Sequence, residues 1–183
     1  MTDTLVLRRP TLDEEGEFLR AHRATSPEVP AFLHYYQEGM PLVRYLEVLA
    51  DQERGENLPP NHVPETFLFA FKGQRIVGRV TIRHALNEVL PRGGGHIGYV
   101  VVPEFRRQGC ATEMLRQALL IAHQRLGLDR VLVTCDGDNR GSIRTIEKNG
   151  GVLEAIADGP GLNSSKRRYW IETGGHSARR HRP

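Results

Sequence analysis

Tyr99-Val100-Val101-Val102-Pro103-Glu104-Phe105-Arg106-Arg107-Gln108-Gly109-Cys110-Ala111-Thr112 decides how this chain is read. An apolar run with the character of a buried strand meets Pro103, which ends it. Cationic and small residues follow, and a periodic helical pattern covers 106–126. The first turn of a helix has N–H donors without internal partners, and its dipole favours negative charge. Gly109 and Ala111 let a bulky anion approach the backbone, while Arg106 and Arg107 add positive charge. The arrangement predicts a diphosphate cradle at a strand–helix junction.

The pattern on either side predicts one mixed domain. Residues 4–9 alternate as a first strand, and Thr11-x-x-Glu14 is a capping-box start for a helix to about Arg23. A second helix is expected over 41–54, with Leu42, Tyr45, Leu46 and Leu49 on one face. Residues 66–71 and 74–83 flank Lys72-Gly73 as a β-hairpin. A glycine-rich connection over 86–95 leads into a strand at 96–102. Beyond the helix come a strand at 131–135 and a helix at 139–149 stopped by Gly150-Gly151. Two antiparallel strands, 152–157 and 166–171, close the chain.

This order suits an α/β (mixed α+β) fold with a central, mostly antiparallel sheet and helices on both faces. Its one parallel pair would be 96–102 beside 131–135, joined by a βαβ crossover. A parallel pair that diverges opens a crevice at its carboxyl ends.

At 183 residues the chain has room for one domain with a real core. No run reaches the roughly 18 apolar residues of a membrane span. Met1-Thr2-Asp3-Thr4 lacks the basic and apolar pattern of a signal peptide. Cys110 and Cys135 are too few for a disulfide scaffold, so a cytoplasmic protein without a membrane partner is expected. Arg179, Arg180 and Arg182 account for the whole formal net charge of +3, which leaves a near-neutral body and no case for nucleic acid. The tail after Gly174-Gly175 is expected to be disordered. His176 and His181 have no partners at ligand spacing, so no metal is expected. Gly93-Gly94-Gly95-His96-Ile97-Gly98 fits the dinucleotide fingerprint by letter, but it precedes a strand instead of following one and is taken as a flexible loop.

Arg106-x-x-Gly109-x-Ala111 resembles the acyl-CoA pyrophosphate loop of the GNAT superfamily of N-acyltransferases. The order of elements is similar to the GNAT fold over nearly the whole chain, with residues 1–173 as a single N-acetyltransferase domain and 174–183 as a basic tail. The resemblance implies transfer of an acyl group, foremost acetyl, from acetyl-CoA to a primary amine of a small molecule or protein. The amine would attack directly in a ternary complex. Backbone at Val100 and Val101 would pair with the pantetheine arm. Arg106, Arg107, Gln108, Gly109, Cys110, Ala111 and Thr112 would hold the diphosphate, with Thr112 offering a hydroxyl. Asn139-x-x-Ser142 resembles the family's Asn-x-x-Ser/Ala helix start, so Asn139 would touch the arm with Ser142 beside it. Asn139 also serves as a plain helix N-cap, and the two roles are compatible.

Glu147-Lys148-Asn149-Gly150-Gly151 resembles the family ending Tyr-Glu-Lys-x-Gly-Phe, but Ile146 holds the tyrosine position and Gly151 the phenylalanine position. Many members use that tyrosine to protonate the leaving thiolate, so the general acid is unassigned. Residues 131–136 and 142–151 are also similar to a branch of predicted acetyltransferases without an assigned acceptor. Transfer asks chiefly for positioning and backbone donors, with a base near neutral pKa as a help. His96 and His84 flank the substrate side and are the candidate bases. Tyr169, near the end of the last strand, is the candidate acid. Tyr35 and Tyr36, the helices at 11–54 and the loop at 85–95 would shape the acceptor pocket. Cys110 is read as a small filler of the loop. A non-catalytic CoA or acetyl-CoA sensor, suggested by Ile146, is the competing reading, and an RNA-binding role rests on the tail alone. Either a monomer or a homodimer is compatible with the sequence.

Overall fold

The computed structural model describes residues 4–26, 31–157 and 165–176. Four strands form one antiparallel ladder in the order β1-β2-β3-β4: Leu5–Arg8, Glu65–Lys72, Arg75–Arg83 and Ile97–Val101. A second ladder has the order β5-β7-β6, with β5 at Arg130–Asp136, β6 at Val152–Ala157 and β7 at Lys166–Glu172. The hairpin between β2 and β3 turns at Gly73-Gln74, since Lys72 already pairs with Arg75.

Helices cover both faces. Helices α1 (Glu15–Thr25) and α2 (Leu42–Arg54) pack Phe18, Tyr45 and Leu49 against Phe67, Phe69 and Phe71 of β2. Helix α3 (Cys110–Leu126) lays Met114, Leu115, Ala118 and Leu119 on the other face, over Val80, Ile82, Val131 and Val133. Helix α4 (Arg140–Lys148) adds Ile146 to that second core. Each fully buried Phe or Leu contributes roughly 1.5–3 kcal/mol, so the two cores fix the sheet between them. The capping box at the chain start is present, with Thr11 N donating to Glu14 Oε2 at 2.8 Å.

The expected parallel pair meets but forms no ladder. His96 N donates to Leu132 O at 2.7 Å, and His96 Nδ1 accepts from Leu132 N at 2.9 Å. Farther along, Tyr99 on β4 reaches Ser142, just past the end of β5. The two strands therefore run the same way and part toward their carboxyl ends, giving the splay that the resemblance implies.

The glycine stretch that begins at Gly93 is not the flexible loop expected. Gly94 N donates to Thr134 Oγ1 at 2.8 Å, Gly95 N to Leu90 O at 2.8 Å, and Arg83 to the carbonyls of Gly94 and Gly95. Gly95 has φ +61, and a Cβ there would lie 2.4 Å from Leu132 O. The loop pins the closed end of the wedge, and only glycine allows the approach. Gly174–His176 forms a 3-10 turn held by Thr173, while residues 177–183, where the rest of the expected tail falls, lie outside the described residues.

Candidate active site

The strand–helix junction is built by two left-handed residues. After a 3-10 turn at Pro103–Phe105, Arg107 has φ 61 and Gly109 has φ 80. These interrupt helical geometry, so α3 begins at Cys110 and not at Arg106 as the periodicity predicts. The first bond into the helix is Glu113 N to Gly109 O at 3.2 Å, so the N–H groups of Cys110, Ala111 and Thr112 lie ahead of the intrahelical ladder. Successive N–H groups in such a turn form an anion-binding concavity. A Cβ on Gly109 would meet nothing within 4 Å, so the space before the turn is open.

The side chains divide their work. Arg106 Nε donates to Val101 O at 3.1 Å, and Gln108 Nε2 to Glu104 O at 2.9 Å, bracing the turn. Arg107 is exposed in front of it. Cys110 is 3% exposed and belongs to the core, consistent with a filler. Ala111 and Thr112 are half-buried on the first turn of α3, where Thr112 O accepts from Asn149 Nδ2 at 3.1 Å. This backbone concavity, with cations at its rim, fits a diphosphate.

Strand β4 has one edge in the ladder and one facing the wedge. Val102 N donates to Val77 O and Arg83 N to His96 O, both across β3. By antiparallel alternation Val100 also turns its backbone to β3, where it pairs with Arg79. Tyr99 and Val101 are the residues whose backbone faces the wedge. Of the two expected arm-binding residues, Val101 turns its backbone to the wedge and Val100 turns its backbone to β3, because neighbouring residues alternate.

Asn139 caps α4: its Oδ1 accepts from Ser142 N at 3.0 Å. Ser142 Oγ shares a 2.7 Å hydrogen bond with the Tyr99 hydroxyl, which spans from β4 to the start of α4. Burial raises the Tyr99 phenol to about 12, against the opposing hydrogen bond from Ser142. Tyr99 went unnoticed in the sequence although it stands in the deciding stretch, because strand alternation alone does not say which neighbour its ring will reach. Ile146 is fully buried in the core beside α3.

The three sequence-predicted catalytic residues are not brought together. His96 is 6% exposed, and both of its bonds go to Leu132. With Nδ1 accepting, the neutral ring carries its proton on Nε2 and has no spare lone pair, so the geometry makes His96 a clamp between strands. Burial and then Arg83 lower its pKa. His84 bonds Thr66 Oγ1 at 2.9 Å, and Thr66 donates to Glu53 Oε1 at 2.8 Å, at the C-terminal end of α2. Tyr169 is 1% exposed between β5 and β6, and its hydroxyl lies 3.5 Å from Glu147 Oε1.

A polar cluster that sequence reading missed lies under the segment between α1 and α2. A cavity of about 640 Å³ is lined there by His34, Tyr35, His62, Glu65, Arg83 and Asn87, with Val89 and Leu90 from the 86–95 loop. Tyr35, expected on the acceptor side, lines it; Tyr36 packs instead against Phe18, His22 and Tyr45. The Glu65 side chain is 5% exposed, with His34 Nδ1 at 3.4 Å and Arg83 Nε at 3.7 Å. Burial pushes its carboxyl up, but His34, Arg83 and Tyr35 outweigh that and hold it below its usual value. The available signal was a charged residue inside an apolar strand run: Glu65 before Phe67, and Arg79 between Val77 and Val80. Among the described residues, no group of three His, Cys, Asp or Glu is placed to hold a metal, and no helix is long and apolar enough to cross a membrane.

Comparison with known proteins agrees with this architecture. The family model for the acetyltransferase (GNAT) domain matches residues 4–152. No curated protein matches the chain in sequence. Among solved structures, RimJ of Mycobacterium smegmatis in complex with CoA-disulfide is similar, with TM-score 0.65, 18% identity, and coverage of 93% of this chain and 83% of that one. The microcin C7 self-immunity acetyltransferase MccE, in complex with acetyl-CoA and AMP, gives TM-score 0.63 and 19% identity over 93% of each chain. A chimera of the spermidine N-acetyltransferase SpeG from Vibrio cholerae and hSSAT gives 0.60 and 17%, covering 94% of this chain and 97% of that one. At these identities the structural likeness is one of fold. The family match over most of the chain, together with a splayed strand pair ending in an open turn at a helix start, places the protein: it belongs to the GNAT acetyltransferase family.

Proposed function

We propose that the protein transfers the acetyl group of acetyl-CoA to a primary amine of a small molecule or protein, by direct attack with donor and acceptor bound together. The observation that carries this reading is the wedge between β4 and β5, closed at His96–Leu132 and ending beside the open turn at Arg107–Thr112. Acetyl-CoA supplies the activated thioester. The N–H groups of Arg107 to Thr112, with Arg106 and Arg107 at the rim, hold the diphosphate. The wedge-facing backbone of Tyr99 and Val101 orients the pantetheine arm and the carbonyl it carries. One hydroxyl of the Tyr99–Ser142 pair donates to the other, and the second donates toward the departing sulfur, in the role that Ile146 cannot fill. A pair of hydroxyls at that place supports the catalytic reading over a non-catalytic sensor.

The test is calorimetric titration with acetyl-CoA and with CoA, followed by thiol release over a panel of amines. Binding with amine-dependent release is the expected result. Absence of acetyl-CoA binding overturns the cradle and the reading built on it.

A further inference from the structure

We propose that the cavity beneath the α1–α2 segment receives the acceptor and prefers amines that also carry a carboxylate over polycationic amines. This rests on the acetyltransferase reading above and deepens it.

Placement comes first. Glu65 pairs with Arg83, and Arg83 N bonds His96 O, so the three residues form one row across β2, β3 and β4. Two strand spacings put Glu65 about 10 Å from the start of β4. An acceptor whose amine reaches β4 therefore leaves its remaining groups in the cavity. Glu65 lies on the same sheet face as Phe67, under α1 and α2 and opposite α3. Tyr35 has φ 61, an unfavourable conformation for an aromatic residue, and its hydroxyl bonds His62 Nδ1 at 2.9 Å. Strain of this kind is kept where the surrounding structure holds it for use.

Charge then selects the ligand. Glu65 and Arg83 are the charged residues lining the cavity, and they offset each other. Directly behind them Arg79 is 2% exposed. Its guanidinium donates to Phe32 O at 3.1 Å, Ala31 O at 2.8 Å and Thr81 Oγ1 at 3.2 Å. No carboxylate of the described residues pairs with it within 4.0 Å. The nearest link to Glu65 runs through His34, whose Nε2 faces Arg79 at 3.3 Å and whose Nδ1 faces Glu65. Accepting from Arg79 leaves the His34 proton on Nδ1, so the ring is neutral, in keeping with the lowering of its pKa by burial and the two arginines. The cluster thus carries one uncompensated buried positive charge. Such a charge is costly alone and is satisfied by an incoming anion, whereas a second cation on the acceptor adds repulsion. Arg79 acts through its field, its donors being taken up by Ala31, Phe32, His34 and Thr81, while Arg83, Tyr35, His62 and Asn87 are placed to touch the ligand.

The experiment uses three matched ligands: an ω-amino carboxylate, its amide and the diamine of the same length. Each is titrated calorimetrically into protein saturated with CoA, so the readout does not depend on turnover. The carboxylate is expected to bind at least about tenfold tighter than the diamine, as a unit charge roughly 10 Å from an unmatched one at an effective dielectric near 20 implies. The amide should fall between them. Arg83→Gln should shrink the difference to within about threefold, while acetyl-CoA affinity and the melting temperature report that the fold and the wedge survive. A diamine that binds equally well or better, no binding by the carboxylate, or an unchanged preference in Arg83→Gln each overturns the proposal. Failure of the acetyltransferase reading shows separately, in the acetyl-CoA titration itself.

Discussion

Tyr99→Phe removes one buried hydroxyl from the wedge and leaves the packing of the ring in place. Burial holds the phenol up at about 12, whereas an ordinary thiol titrates near 8.5. Handing a proton outright from Tyr99 to a thiolate is therefore uphill by about 3.5 units, or roughly 5 kcal/mol at about 1.36 kcal/mol per unit. The hydrogen-bonded Tyr99–Ser142 pair serves instead as a single donor to the charge that develops on sulfur. A hydrogen bond to a charged group contributes about 1.5–3 kcal/mol, so the variant should lose about 10- to 100-fold in kcat. Since the phenol stays protonated from about pH 6 to 9, the loss should be the same factor throughout that range. Thiol release at saturating acetyl-CoA measures it, with acetyl-CoA affinity as the control for an intact wedge. A loss below about threefold refutes the role, and a loss that changes with pH points to proton transfer instead. Ser142→Ala should behave alike, and the double variant should be no worse than the poorer single one, because the hydroxyls act as a unit.

Gly95→Ala forces a side chain into a left-handed residue, costing about 1–2 kcal/mol, and into contact with Leu132 O, costing about 1–3 kcal/mol more. At about 2–4 °C per kcal/mol the melting temperature should fall by roughly 4–20 °C, and a shift within about 2 °C contradicts the pinned-loop account. Gly109→Val should weaken acetyl-CoA binding by at least about tenfold, by tipping the turn out of its left-handed form; equal affinity in calorimetry removes the cradle. His96→Asn keeps an acceptor for Leu132 N and should retain the pH–rate profile, whereas His96→Ala should lower the melting temperature by leaving that N–H unpaired. A profile that changes in His96→Asn restores His96 as a base.

His34, His84 and His96 all have pKa values lowered by burial below their ordinary value of 6.5. Below that pH the unfolded chain takes up protons that the native protein holds off. Their contribution is full above about pH 6.5 and lost on acidification toward the lowered native values. Melting curves should shift downward between about pH 7.5 and 5.5. A flat profile contradicts the burial of these rings as neutral species.

The order of elements was legible because each carries a local signature. Alternation marks β1, the apolar face of Leu42, Tyr45 and Leu49 marks α2, and Gly150 marks the end of α4. The turn before α3 was legible for the same reason: Pro103, Gly109 and Ala111 stand close together in the sequence. The start of α3 was misplaced because left-handed Arg107 is invisible in a pattern that suits a helix equally well. Roles that depend on distant partners were not legible. His96 looks like a base until Leu132 takes its Nδ1, and Gly93 to Gly95 look loose until Thr134 and Leu132 close on them.

By itself, then, the sequence determined the succession of strands and helices, the turn before α3 and the Asn139 cap, since these arise from residues a few positions apart. Only the tertiary structure decided which edge of β4 meets the wedge, that Tyr99 joins Ser142, and that Glu65, Arg79, Arg83 and His34 share one buried cluster. Those contacts join residues up to 48 positions apart, as between Arg79 and Ala31. They exist because packing two helical layers on a splayed sheet brings the side chains into a low-dielectric interior, where each partner sets the other's charge and tautomer.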